Sequence, residues 1–173
     1  KYLIYRLRQA FSLISDEQLV LSTAFGYQLN PNLHITTDFQ KFDELTVAAA
    51  KATSVVNKVG LMEKAVELYQ GKLLSSAEGE HWLVHTANRY HFAYMSTANE
   101  LLKQLMTIHA YDLIHQYAAL ALTIAPENTK TYYWLIQSYL KQNMEEMATG
   151  ELVAARQKLP DEEYQKLLQE LKK

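Results

Sequence analysis

His81 and His85 stand four residues apart in a stretch of helical periodicity, with Glu78 and Glu80 close by. That spacing is about one helical turn, so both imidazoles could face the same way and offer nitrogen ligands to zinc. The stretch reads His-Trp-Leu-Val-His, however, and lacks the glutamate that serves as general base in helical zinc hydrolases. Spacing assigns no third ligand. The pair reads better as a polar edge beside expected core residues Trp82 and Leu83, and no metal is expected. A Gly-rich phosphate loop and a nucleophile elbow are both missing, and with no cysteine in the chain there is no thiol nucleophile. The scattered Asp and Glu residues lie on amphipathic stretches and need only solvation. No enzymatic activity and no cofactor are expected.

Two other sets of residues suit binding instead of catalysis. Arg6 and Arg8 sit near the start of the chain, and an arginine's planar donor fork matches phosphate oxygens and base edges. An ordinary solvated helix face would account for the same pair. Farther on, Tyr132, Tyr133, Trp134 and Tyr139 cluster among the twelve tyrosines and two tryptophans of the chain.

The positioning elements follow from periodicity. Residues 1–14 read as a helix with Leu3, Leu7, Ala10 and Phe11 on one side. Residues 18–23 and 27–29 read as short strands with Phe25 and Gly26 at the turn, then Asn30-Pro31-Asn32 as a closing turn. From Thr37 the pattern is almost wholly helical. Phe39, Phe42, Leu45, Ala49, Ala52 and Val56 form one stripe, broken at residues 57–60. A short helix over 61–70, a loop over 71–79 and a long helix over 80–106 are expected next. Further helices are expected over 111–124, from 129 to 142 with Asn128 or Thr129 as cap, over 144–158, and from Asp161 as cap to 171.

Pro126 and Pro160 lie 34 residues apart, the period of the tetratricopeptide repeat. In that register Leu102, Leu105, Ala118 and Ala121 take packing positions in one repeat. Ile136, Tyr139, Ala148, Leu152 and Ala155 take them in the next. Small alanines allow helices to approach closely while Leu or Tyr fills the opposite groove. Ser96, Asn99, Lys103 and Met106 then line a concave face in the first repeat, and Lys130, Tyr133, Gln137 and Leu140 in the second. This mixture of donors, one aromatic ring and apolar surface suits a peptide or a partner helix. The helix from Asp161 could instead fill the groove from within.

Composition sets the outer bounds. The 173 residues are 49% hydrophobic and 21% charged, with net charge −2. That is the profile of an ordinary globular chain and excludes a generic polyanion binder. No apolar stretch approaches the roughly 18 residues of a membrane span. No signal peptide is visible, and cysteine-free composition is compatible with a cytoplasmic location. The chain begins inside an apolar helical pattern without Met, which reads as a fragment of a longer protein.

Two adjacent signatures bear a family resemblance. The segment Tyr5-Arg6-Leu7-Arg8-Gln9-Ala10-Phe11, followed by residues 19–29 with Thr23 and the Gly26-Tyr27 pair, resembles the recognition helix and C-terminal β-hairpin wing of OmpR-type winged-helix domains. The stretch from Asp38-Phe39 and Phe42 through Gly60 and Ala65 to Tyr69-Gln70-Gly71 resembles the start of the bacterial transcriptional activator domain, as found in the antibiotic-regulatory family. The two helices and small sheet that precede a recognition helix are absent here. Tyr69 stands near the place where that domain usually carries tryptophan.

The resemblance implies a mostly α fold, a tetratricopeptide-like solenoid of antiparallel helix pairs preceded by a winged-helix remnant. Residues 1–33 would be the remnant and residues 34–173 the activator domain. It implies DNA contact through Arg6 and Arg8, with Thr23 and Tyr27 touching backbone or bracing the wing; alternatively Tyr27 packs into the small core. Asn99, Lys103, Lys130, Tyr133 and Gln137 would hold a protein or peptide partner, RNA polymerase or a second copy among the choices. The implied parent is a cytoplasmic regulator that binds promoter DNA. The competing expectation is a peptide- or protein-binding adaptor without DNA binding. Two or three phosphate contacts alone give only non-specific affinity, with Kd on the order of 10⁻⁴ to 10⁻⁶ M.

Overall fold

The computed structural model describes residues 2–71 and 81–172. It divides into two compact units, Lys1–Thr37 and Asp38–Lys173.

The first unit holds α1 (Tyr2–Phe11) and the antiparallel strands β1 (Val20–Thr23) and β2 (Gly26–Leu29). α1 is shorter than the expected 1–14. Past Phe11 the amides of Leu13 and Ile14 turn back to Ala10 and Phe11 in tight three-residue steps, which closes the helix. The expected apolar side of α1 is not buried within the unit: Leu3 is 78% and Leu7 43% exposed. In the hairpin, Val20 pairs with Leu29 and Thr23 with Gly26, so the turn is Ala24-Phe25 and not Phe25-Gly26. Gly26 closes the ladder at φ +136°, a backbone conformation that side-chain-bearing residues rarely adopt. The Thr23 hydroxyl reinforces the turn, donating to the Gly26 carbonyl and accepting from the Phe25 amide, each at 3.3 Å. Buried Asn30 ties the far end of the hairpin, its amide donating to the Gln18 carbonyl at 2.9 Å.

The second unit is helical throughout its described residues: α2 (Asp38–Lys51), α3 (Val55–Leu68), α4 (His81–Thr107), α5 (Tyr111–Ile124), α6 (Thr129–Lys141), α7 (Glu145–Lys158) and α8 (Asp161–Leu171). The break between the first two falls at 52–54, earlier than the periodicity predicts, and Gly60 lies inside α3. One glycine inside a helix costs only about 1 kcal/mol, and burial of Val59, Met62, Ala65 and Val66 offsets it. Ala52 and Val56 therefore do not extend the α2 stripe. The expected loop at 71–79 lies, Gly71 apart, outside the described residues, as do Glu78 and Glu80.

Sequential helices pack pairwise, and α4 also meets α6 while α6 meets α8. This is the tetratricopeptide arrangement, in which the first helices of successive pairs share one face. The main core joins Phe42, Val66, Tyr94, Leu101, Leu105 and Ile114; a second core joins Tyr132, Ile136, Ala155 and Leu167. Leu102, Leu105, Ala118, Ala121, Ile136, Ala148 and Ala155 are buried as their repeat positions require, while Tyr139 and Leu152 pack against the second core half-buried. Asn128 caps α6 by accepting from the Thr131 amide at 2.9 Å. Asp161, by contrast, is the first residue of α8 and not its cap. Pro160 holds the cap position, and three acids in the first turn face the helix's positive end.

Candidate functional site

The helices α4, α6 and α8 border an open groove of about 1020 Å³. α4 contributes Ser96, Asn99 and Lys103, and α6 contributes Lys130 and Tyr133. These five are brought together as the repeat register predicts, because the residues sit on the outward stripe of two first helices that pack side by side. The stripe ends sooner than expected. Gln137 and Leu140 are not among the lining residues, and Met106 packs half-buried against the main core.

Polar bonds set the groove walls. The Asn99 amide donates to the Met95 carbonyl at 2.8 Å and toward the Asn128 side-chain oxygen at 3.4 Å. Its own carbonyl oxygen is buried without a partner among the described residues. Glu100 accepts from Lys58 and from Gln104, both at 2.8 Å. Burial pushes the Glu100 carboxyl up, yet these bonds outweigh it and hold the group below the ordinary glutamate value. On the other wall, the Thr129 hydroxyl donates to Glu163 at 3.1 Å and Lys166 donates to the same carboxylate at 2.7 Å. Those bonds lower the Glu163 carboxyl.

The register misses the α8 side of the groove. One further period picks Tyr164 and Leu167, which pack into the second core instead. α8 packs on α6 and α7 through its apolar face and leaves Glu163 and Glu170 along the rim. With Glu100 and Glu127, four carboxylates therefore face two lysines. Trp134 was also missed as a wall residue; its ring meets Tyr133 edge-on at 4.9 Å. The terminal helix borders the groove and leaves its volume open.

In the first unit the two arginines separate. Arg8 Nε donates to the Val20 carbonyl and its Nη2 to the Ser22 hydroxyl, each at 2.9 Å, and the guanidinium lies over the Tyr27 ring at 5.9 Å. Arg8 thus fastens α1 to the hairpin. Arg6 stays exposed, with its guanidinium 5.9 Å from the Tyr2 ring. Tyr27 is 47% exposed and does not enter a core. Thr23 is occupied in the turn, as described above.

His81 and His85 are exposed at the start of α4. Leu83 is buried as expected, but Trp82 is 69% exposed and is not a core residue. Leu83 is the buried side chain of the first turns of α4. No cluster of three or more His, Asp or Glu side chains is placed to hold a metal among the described residues. None of the described helices is long and apolar enough to cross a membrane.

The family model for the bacterial transcriptional activator domain matches residues 37–173. No curated protein matches the sequence.

Proposed function

The chain belongs to the bacterial transcriptional activator domain family, and on that premise we propose that it is part of a DNA-binding regulator whose helical unit holds a protein segment in the α4–α6–α8 groove. The family is one of transcription regulators, not of enzymes. The observation that carries the groove reading is the convergence of Asn99, Lys103, Lys130 and Tyr133 on one open surface. Lysines on two helices, carboxylates on the third side and an aromatic wall match a peptide of mixed charge with an apolar anchor.

In this reading residues 1–33 are the end of a winged helix of the OmpR type and residues 34–173 the activator domain, as in the antibiotic-regulatory family. Arg6 meets promoter DNA, while Arg8, Thr23 and Tyr27 hold the wing in shape beside it. The regulator works in the cytoplasm, and the groove takes RNA polymerase, a second copy or another partner. The adaptor without DNA binding is the second reading. It is favoured by the internal bonds of Arg8, which leave one arginine fewer for phosphate.

A photo-crosslinking residue at Tyr133, compared with one at exposed Val153 on α7, tests the groove. Crosslinks to RNA polymerase, a regulator partner or a second copy from position 133 alone support the reading. Equal labelling from both positions, or none, removes it. Loss of promoter binding by the DNA-binding parent on Arg6→Ala separates the regulator from the adaptor.

A further inference from the structure

A second concavity of about 540 Å³ lies where α2, the end of α3 and the start of α4 come together, and among the described residues it shares no lining residue with the groove. Five aromatic side chains line it: Phe39, Phe42, Tyr69, Trp82 and Tyr90. Their rings approach one another at 5.5 Å (Phe39–Tyr90) and 6.3 Å (Phe42–Tyr69 and Phe42–Tyr90) and are tilted or edge-on, not stacked face to face. Among the described residues, Asp38 is the one charged side chain on the lining.

We propose that this pocket binds an apolar organic cation, an aromatic or quaternary amine of small-molecule size. The volume falls within the range of small-ligand sites. Ring faces carry negative quadrupole density and attract a poorly hydrated cation, and a carboxylate at the mouth adds charge complementarity. The same aromatic wall already takes one cation: the Arg89 guanidinium lies 4.4 Å from the Tyr90 ring centre, held there by Asp43 at 3.1 Å. Asp43 also accepts from the Tyr90 hydroxyl at 2.8 Å, which fixes that ring in place. A neutral apolar ligand would use the rings but gain nothing from the Asp38 charge, whose oxygen also bonds the Phe39 amide at the start of α2.

The whole chain is titrated with benzyltrimethylammonium and, separately, with its uncharged isostere neopentylbenzene. The readout is the pair of indole N–H resonances from Trp82 and Trp134. The cation shifts the Trp82 signal saturably, leaves Trp134 unmoved, and binds about fivefold or more tightly than the isostere. Asp38→Asn keeps the acceptor that bonds the Phe39 amide at 2.8 Å and narrows that preference. Thr86→Trp, from an exposed lining position, fills the mouth and abolishes the shift. The absence of a saturable Trp82 shift, equal affinity for the two compounds, or binding untouched by Thr86→Trp overturns the assignment.

Discussion

His109 and Asn143 stand 34 residues apart, and both hold the left-handed backbone conformation, at φ 57° and 60°. The bonds around them repeat as well. The Ala110 amide reaches the Leu105 carbonyl at 3.0 Å, and the Met144 amide reaches Tyr139 at 2.9 Å. The amides of His109 and Asn143 themselves return to Met106 and Leu140 at 3.2 and 3.1 Å. Each set is the hydrogen-bond pattern that ends a helix and reverses the chain. The next junctions match too: Ala125 to Ala121 and Leu159 to Ala155, both at 2.8 Å, each just before a proline. The repeat is therefore written in backbone geometry, not only in the spacing of apolar side chains.

That geometry makes position 143 sensitive to the residue it carries. Asparagine tolerates the left-handed region, and a β-branched side chain does not. Asn143→Val is expected to lower stability by about 1–2 kcal/mol. Asn143→Gly should be neutral or slightly stabilising. Urea denaturation followed by helical circular dichroism measures both, and equal losses in the two variants would count against the junction as described.

Arg8 and Arg6 should behave differently. Removing Arg8 takes two hydrogen bonds from the link between α1 and the hairpin. Each is expected to contribute about 0.5–1.5 kcal/mol. Arg8→Ala should therefore speed amide exchange at Ser22 and at the amides of the β1–β2 ladder, while Arg6→Ala leaves those rates unchanged. The reverse result would reassign the two side chains.

The helical repeat and most of the groove were legible because both depend on short-range periodicity. Ala118, Ala121 and Ile136 declare their burial through spacing alone, and the same spacing puts Asn99 and Tyr133 on the outward stripe. Other features depend on tertiary partners that no spacing reveals. Arg8 reads as a free cation until the Val20 carbonyl and Ser22 are placed beside it. His115 stacks on Tyr139 at 4.3 Å and meets the Ser138 hydroxyl at 3.0 Å, a pairing across two helices with no local signature. On α8, Tyr164 and Leu167 go into the second core while Glu163 and Glu170 line the groove, an exchange set by packing on α6 and α7. Trp82 reads as core by its composition, yet the aromatic pocket leaves it at a rim.

Tyr94 offers a test of an incomplete polar bond. Its ring is fully buried and stacks on Tyr69 at 4.4 Å, but its hydroxyl has no hydrogen-bond partner among the described residues. Burial pushes its pKa up to about 12 from 10.0. The raised folded-state value means that stability is intact below pH 10 and falls as pH climbs toward 12. Tyr94→Phe is expected to gain about 1 kcal/mol at neutral pH by removing an unpaired buried hydroxyl. It should also flatten the decline between pH 10 and 12. A loss of stability at neutral pH would show that the hydroxyl is bonded after all.

Glu100 gives the opposite sign at the acid end, and it couples the groove wall to α3. Its carboxylate, accepting from Lys58 and Gln104, is held below the ordinary glutamate value of 4.5 despite burial. A folded-state pKa below the unfolded one means that the bonds stabilise fully above pH 4.5. The contribution fades as pH falls through the lower folded value. Glu100→Gln should therefore cost stability at pH 7 and progressively less on acidification below pH 4.5. Lys58→Met removes the partner from α3 and should reproduce much of that profile, because the Lys58–Glu100 bond of 2.8 Å carries a large part of the shift. The double variant should lose less than the two single losses combined, as expected for side chains that act on each other. Urea midpoints measured from pH 3 to pH 7 check all three variants. Additive losses with no dependence on pH would remove the ion pair as the link between α3 and α4.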